Sequence, residues 1–353
     1  MIIELITIND LHNYGNRLQH YATQQFFRAN GFDVENIVDE SYYPMTRRGV
    51  KNRILFVLRT IKNKGYRNYL AIKQLERNFL VFNRNITYSG IHVKTSKELQ
   101  ENNINDRIIV VGSDQVWNPK FGVSDITLLN GVECRKKISF SSSFGVNTLP
   151  NDEKTAKCLT DFHALSVREE AGARIVNELT GREATVLVDP TMLLTKEDWR
   201  KVAKKPKGAK NGYILTYFLS EMCDDAVCKL EEIRENRTVY ELLNPSDPVA
   251  GTAGPAEFLW LFDHADLILT DSFHACIFSF LFDKPFIVYD RNWSEVNMNS
   301  RLETLLTKFH IKRKYANSGL ENNLWEHDYS DGYLQLEVER NKATKFIKNA
   351  LEE

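Results

Sequence analysis

What the chain lacks narrows the field first. Cysteines are few, at 134, 158, 223, 228 and 276, an odd set without a CxxC pair. That argues against a disulfide framework or a cysteine zinc site and for reduced, mostly buried thiols. The eight histidines show no HxH, HxxxH or HExxH spacing, so no metal is expected. Long apolar runs are missing: the stretch 275–282 falls far short of the about 20 residues that span a bilayer. No basic segment followed by an apolar core opens the chain, so no secretory signal is read there. Charge of one sign is missing too. With 46 Lys+Arg against 47 Asp+Glu the formal net charge is −1, which gives no bulk drive toward nucleic acid or an anionic membrane. Any anionic ligand must be held by a few placed cations. With 17 Gly and 9 Pro, collagen-like and low-complexity classes are excluded, and 42% hydrophobic with 26% charged residues is ordinary for a soluble globular protein.

What is present is strand–helix alternation over a length that favours two domains, at about 100–200 residues each. Residues 2–8 form an apolar run ending in a polar loop. Leu18, Tyr21, Ala22, Phe26 and Ala29 then follow helical spacing, Gly31 supplies the stop, and 32–38 reads as a strand. Residues 44–106 are rich in Arg, Lys and Asn, with helices near 52–62 and 66–82 and no clear strand, and read as a helical excursion of the first domain. Its basic stretch, from Arg47 to Arg67, reads first as a solvated helix face, with a polyanionic glycan or membrane surface as the other reading. Strands are expected at 107–111, 137–140, 164–167 and 184–188, with a helix over 169–179. The Pro- and Gly-containing stretch 201–211 marks a domain boundary. A second alternating set runs over 212–289, and 334–352 is an amphipathic helix able to pack back on the first domain. The expected architecture is α/β: two Rossmann-like domains facing across a cleft, at 1–205 and 206–331, with a terminal helix at 332–353.

Four polar clusters fall at strand ends. The first is Asn13, Gly15 and Asn16, followed by Gln19, where a ligand loop and a simple capped turn explain the residues equally well. The second is Ser113, Asp114, Gln115, Trp117 and Asn118, groups that bind sugar hydroxyls and sugar faces, with a buried Trp in an Asx turn as the structural alternative. The third is Arg168 beside Glu169, either an anion fork or a surface ion pair, with a short Asp189-Pro-Thr191 turn after the next strand. The fourth is Asp271, Ser272, Phe273 and His274. This histidine heads an apolar helix at a strand's end and is suited to proton transfer near neutral pH. Gly254 before Pro255 opens a helix that could cradle phosphate, and Arg301 could add a cation.

Together, NYGNRLQHYATQ (13–24), VVGSDQVWNP (110–119), SFSSSFG (139–145), SVREEAG (166–172), VLVDPTML (186–193) and the segment 254–288 with TDSFH resemble the polysaccharide pyruvyl transferase family. The resemblance implies a GT-B-like pair of domains and transfer of a pyruvyl group from phosphoenolpyruvate to paired sugar hydroxyls as a cyclic ketal, with no further cofactor. It implies that Arg168 takes a donor anion and His274 is catalytic, with Asp114 orienting or deprotonating an acceptor hydroxyl. Some members carry a basic residue where Ser272 stands, so Arg301, Arg291 or Lys284 would have to supply a second cation. The partners implied are phosphoenolpyruvate and a glycan, lipid-linked or free. The location expected is cytoplasmic, with the inner membrane face visited if the acceptor is carried on a lipid. Two other readings fit the same architecture: a sugar-nucleotide glycosyltransferase and a non-catalytic glycan-binding protein.

Overall fold

In the computed structural model the described residues are 2–10, 13–42, 50–121, 123–150, 152–290, 297–312 and 324–352. They fall into two compact units: residues 1–47, 84–194 and 337–353 form the first, and 48–83 with 195–336 the second.

Strand β1 (Ile2–Ile6) leads through a polar loop into helix α1 (Tyr14–Ala29) and strand β2 (Asp33–Asp39). Asn13 caps α1 by accepting from the Asn16 amide, and Arg28 sits in its last turn, where a cation suits the helix dipole. Helix α2 (Val50–Phe82) is interrupted at Gly65, whose φ of 81° is not helical. Then come β3 (Tyr88–Val93), α3 (Ser96–Gln100), β4 (Ile108–Val111), β5 (Lys136–Ser139) and α4 (Glu153–Thr160). Strand β6 (Ser166–Val167), α5 (Glu170–Thr180) and β7 (Thr185–Val186) complete this stretch. The five-stranded sheet has the order β3-β2-β1-β4-β5, and every pairing in it is parallel. Chain order reverses between β1 and β4, the place where open parallel sheets leave a crevice beyond their strand ends. All four residues of β4 are buried, as expected of a strand covered on both faces.

The second unit continues with α6 (Lys196–Val202), β8 (Tyr213–Tyr217), α7 (Asp224–Arg234), β9 (Thr238–Glu241) and α8 (Pro255–His264). Strand β10 (Leu267–Thr270), α9 (Phe273–Leu281), β11 (Phe286–Val288), α10 (Asn297–Lys308) and α11 (Ser330–Glu352) follow. Its sheet is also parallel, in the order β11-β10-β8-β9. The fold class is thus α/β, with two Rossmann-like parallel sheets.

Several expectations change. The segment 44–106 does contain a strand: β3 pairs with β2 at the sheet edge. Its half-exposed pattern and Gly90 hide it from apolar periodicity. The helical excursion belongs not to the first domain but to the second unit, because Asn78 of α2 donates to the Thr252 carbonyl at 2.7 Å and its backbone lies against Gly254. The boundary falls at 194/195, ahead of the expected 201–211. The reason is α6, whose Trp199 meets Phe278 edge to face at 5.1 Å and whose Arg200 clamps Asp263 through two 2.8 Å bonds. Residues 337–353 of α11 belong to the first unit, where Arg340 donates to the carbonyls of Met192 and Leu194.

Candidate functional site

Parallel β1, β4 and β5 present their carboxyl ends on one edge of the first sheet, and most of the polar motifs gather there. After β4 the chain turns sharply at Gly112, whose φ is 124°. A Cβ there would lie 2.3 Å from the Phe140 carbonyl oxygen, so only glycine fits. Asp114 follows with φ 66°, a left-handed conformation that aspartate tolerates better than most residues. Its backbone oxygen accepts from the amides of Val116 and Ser143. The backbone that carries the carboxylate is therefore pinned by main-chain bonds.

Asn16, in the first turn of α1, donates from Nδ2 to Oδ2 of Asp114 at 3.0 Å. Its own oxygen accepts from the Asp10 amide at 2.9 Å and from Arg17 at 2.8 Å. Gln19 donates to Thr7 at 3.1 Å, and Thr7 donates to the Ser113 carbonyl at 3.0 Å. These bonds tie the β1 loop to the β4 loop. Asn13 is spent as the cap of α1, and Gly15 is a buried residue of its first turn.

Arg168 follows β6 with its side chain only 4% exposed. Nη1 donates to Oδ2 of Asp189 at 2.8 Å and stands 3.6 Å from Oδ1 of Asp114, while Nε lies 3.8 Å from Glu169. Burial by itself would lower the Arg168 pKa, but the charges of Asp189, Asp114 and Glu169 outweigh it and hold the guanidinium above its usual value. Asp189 accepts in turn from the Thr191 amide at 3.0 Å and hydroxyl at 2.7 Å. Glu169 accepts from Ser143 at 2.7 Å and from the Gly145 amide at 3.3 Å. One cation thus stands among three carboxylates. Any anionic donor that approached Arg168 would meet these carboxylates beside it.

Other expected ligands resolve differently. Trp117 is fully buried, donates from Nε1 to the Thr127 carbonyl at 3.0 Å, and packs on Phe144 and Phe162. Such an indole is core and offers no face to a sugar. Gln115 accepts from Asn118 at 2.8 Å, and the two amides cover Gly145, where a Cβ would come within 3.0 Å of both. The Ser113 hydroxyl is buried, without a hydrogen-bond partner.

In the second unit, Asp271 receives the amides of Leu219 (2.8 Å) and Ser220 (3.2 Å) and the Ser220 hydroxyl at 2.7 Å, and so closes the loop after β8. Ser272 is the cap of α9, accepting from Ala275. Phe273 and His274 open that helix, partly exposed, with their rings edge to face at 5.5 Å. The Gly254 cradle does not form. The α8 terminus already holds the Glu257 carboxylate, which accepts from the Gly254 amide at 3.1 Å, and Asn78 lies so close that a Cβ on Gly254 would meet it at 2.6 Å. Arg301 lies on α10, with its side chain outside the described residues, and Arg291 lies outside them altogether. Arg168 and Asp114 therefore share one cluster in the first unit, while His274 belongs to the second.

Sequence reasoning passed over Asp189 as a structural turn and weighed Glu169 only as a surface partner. The signal available was position: both follow short strands whose ends carry other polar residues. Among the described residues no group of three His, Cys, Asp or Glu side chains is placed to hold a metal ion.

No curated protein matches the chain. Among solved structures it is similar to a UDP-GlcNAc 2-epimerase from Methanocaldococcus jannaschii (15% identity, 96% of this chain and 99% of that one, TM-score 0.45). It is also similar to a putative UDP-N-acetylglucosamine 2-epimerase from Listeria monocytogenes (12% identity, 97% and 90%, TM-score 0.47). A third is the glycosyltransferase SnogD from Streptomyces nogalater (14% identity, 100% and 98%, TM-score 0.38). The family model for polysaccharide pyruvyl transferases matches residues 13–292, a span that holds both the Asp114–Arg168 cluster and His274. The chain belongs to the polysaccharide pyruvyl transferase family.

Proposed function

We propose that the protein moves the pyruvyl group of phosphoenolpyruvate onto two hydroxyls of one sugar in a surface or capsular polysaccharide precursor. The observation that carries this reading is the Asp114 carboxylate. It accepts from Asn16 and stands on a backbone pinned at the strand-order reversal, in a chain of a pyruvyl-transferring family. A partly exposed carboxylate with its charge neighbour Arg168 behind it is suited to take a proton from an acceptor hydroxyl.

A proton adds to the methylene carbon of the enol, and positive charge develops at the carbon bearing the phosphate ester. The first sugar hydroxyl forms a C–O bond there and loses its proton. The C–O bond to phosphate then breaks, and the second hydroxyl closes the ketal, releasing its proton in turn. One hydroxyl proton balances the methyl group formed and the other balances the phosphate released.

In this scheme Asp114 accepts the hydroxyl proton and His274 supplies the proton to carbon. Arg168 positions Asp114 rather than holding the donor. The donor's phosphate and carboxylate are assigned to the second unit, with Lys284, Arg291 and Arg301 as its candidate cations. No metal or redox group enters the balance. The acceptor is a glycan, and where it is carried on a lipid the reaction takes place at the inner membrane face.

The test is incubation of the purified protein with phosphoenolpyruvate and a panel of lipid-linked or nitrophenyl glycosides, reading phosphate release and the product mass. The expected result is equimolar phosphate and a ketal-bearing sugar, both lost in His274→Ala without a change in melting temperature. Turnover of a UDP-sugar with no consumption of phosphoenolpyruvate would overturn the reading.

A further inference from the structure

Helix α2 (Val50–Phe82) is a one-sided block of charge. It carries eight Lys and Arg against the single Glu76, while the rest of the chain carries 38 basic against 46 acidic residues. The net charge of −1 is thus the difference between a basic helix and an acidic remainder.

From Gly65 onward the helix also has two apolar faces. The inner one carries Phe79 and Phe82, each 1% exposed, beside Asn78 and its bond to Thr252. On the outer one stand Tyr66 (61% exposed), Leu70 (47%), Leu80 (55%) and Val81 (45%), with exposed Lys73 and Arg77 between them. At 3.6 residues per turn these six side chains fall within an arc of about 100°. A helix packed on one side of a soluble protein ordinarily turns a polar face outward, so this second stripe calls for an apolar partner.

We propose that α2 is an interfacial helix that lays its outer face on an anionic lipid surface. Tyr66, Leu70, Leu80 and Val81 enter the boundary between headgroups and acyl chains, while Lys73 and Arg77 meet headgroup phosphates. The charge of the helix selects an anionic surface. The apolar stripe selects lipid over a soluble polyanionic glycan, which offers no apolar phase to receive leucines. No helix among the described residues is long and apolar enough to cross a membrane. This surface does not depend on the proposed reaction: vesicle binding by a protein that ignores phosphoenolpyruvate would leave it standing.

The test is flotation of the full chain with vesicles of phosphatidylcholine alone or mixed with phosphatidylglycerol. Binding is expected only to the mixed vesicles and falls as salt rises. The double variant Leu70→Ser/Leu80→Ser lowers it roughly tenfold, as does Lys73→Gln/Arg77→Gln, each with an unchanged melting temperature. Three results would overturn the proposal. One is no flotation with phosphatidylglycerol, and another is undiminished flotation of the leucine variant. The third is a dimer of the chain that this variant converts to monomer without any vesicle binding.

Discussion

The Arg168 guanidinium donates to Asp189 at 2.8 Å, and the same Nη1 stands 3.6 Å from the carboxylate of Asp114. One buried cation thus joins the end of the sixth strand to the turn after the seventh and to the loop after the fourth. The geometry fits a positioning role: Arg168 is held from behind, and its charge faces the carboxylate that opens toward solvent.

Removing that hold is expected to be costly. Asp189→Asn leaves a buried guanidinium short of its nearest counter-charge, and breaking such a pair typically loses about 3–5 kcal/mol. Urea denaturation measures it; a loss below about 1 kcal/mol would mean that Asp114 and Glu169 alone suffice.

Asp114→Asn keeps an oxygen for the Asn16 amide but can no longer accept a proton. Phosphate release is expected to fall by about 10²–10⁴-fold, with the fold retained and melting lowered less than in Asp189→Asn. An asparagine variant with full turnover would remove Asp114 from the chemistry.

Gly254→Ala distinguishes packing from phosphate binding. The added methyl would sit 2.6 Å from Asn78 Cβ and 2.9 Å from its backbone carbon, so α2 must shift. A stability loss of about 1–3 kcal/mol is expected from such overpacking. An unchanged melting curve with a raised KM for phosphoenolpyruvate would favour the cradle instead.

Trp117→Phe loses the hydrogen bond to Thr127 and some ring packing, yet the residue is sealed from ligand. Stability should drop by about 1–3 kcal/mol while KM for the glycan stays the same. A large rise in KM at constant stability would return Trp117 to the site.

His20 makes stability depend on pH. Burial first, and then the charge of Arg17, holds its pKa well below the ordinary 6.5, against a smaller opposing contribution from Asn36. The unfolded chain therefore binds the proton more readily. The stabilisation is complete above about pH 6.5 and is lost as pH falls below that value toward the folded pKa, with a slope of up to about 1.4 kcal/mol per pH unit. His20→Phe should flatten the dependence below about pH 6.5 in urea denaturation. An unchanged slope would assign the acid sensitivity to other groups.

Much of this was legible in the chain. Helix α1 could be read from its spacing and its Asn13 cap, and β4 from four consecutive apolar residues, because both signals are short-range. The gathering of polar residues at strand ends was legible for the same reason: an apolar strand that empties into Gly, Ser and Asp shows where burial stops. Strand β3 was not, since an edge strand needs only one neighbour and half its side chains face water.

The sequence by itself determined the alternation of strands and helices, the caps, the family, and the identities of Asp114, Arg168 and His274 as the residues to watch. Only the tertiary structure decided what those residues face. It buried Trp117, closed the Gly254 terminus with Glu257 and Asn78, moved α2 into the second unit, and enclosed Arg168 among three carboxylates. The physical reason is range. Periodicity and capping act over a few residues, whereas a counter-charge is brought to Arg168 from 21 residues away by the parallel pairing of the sixth and seventh strands.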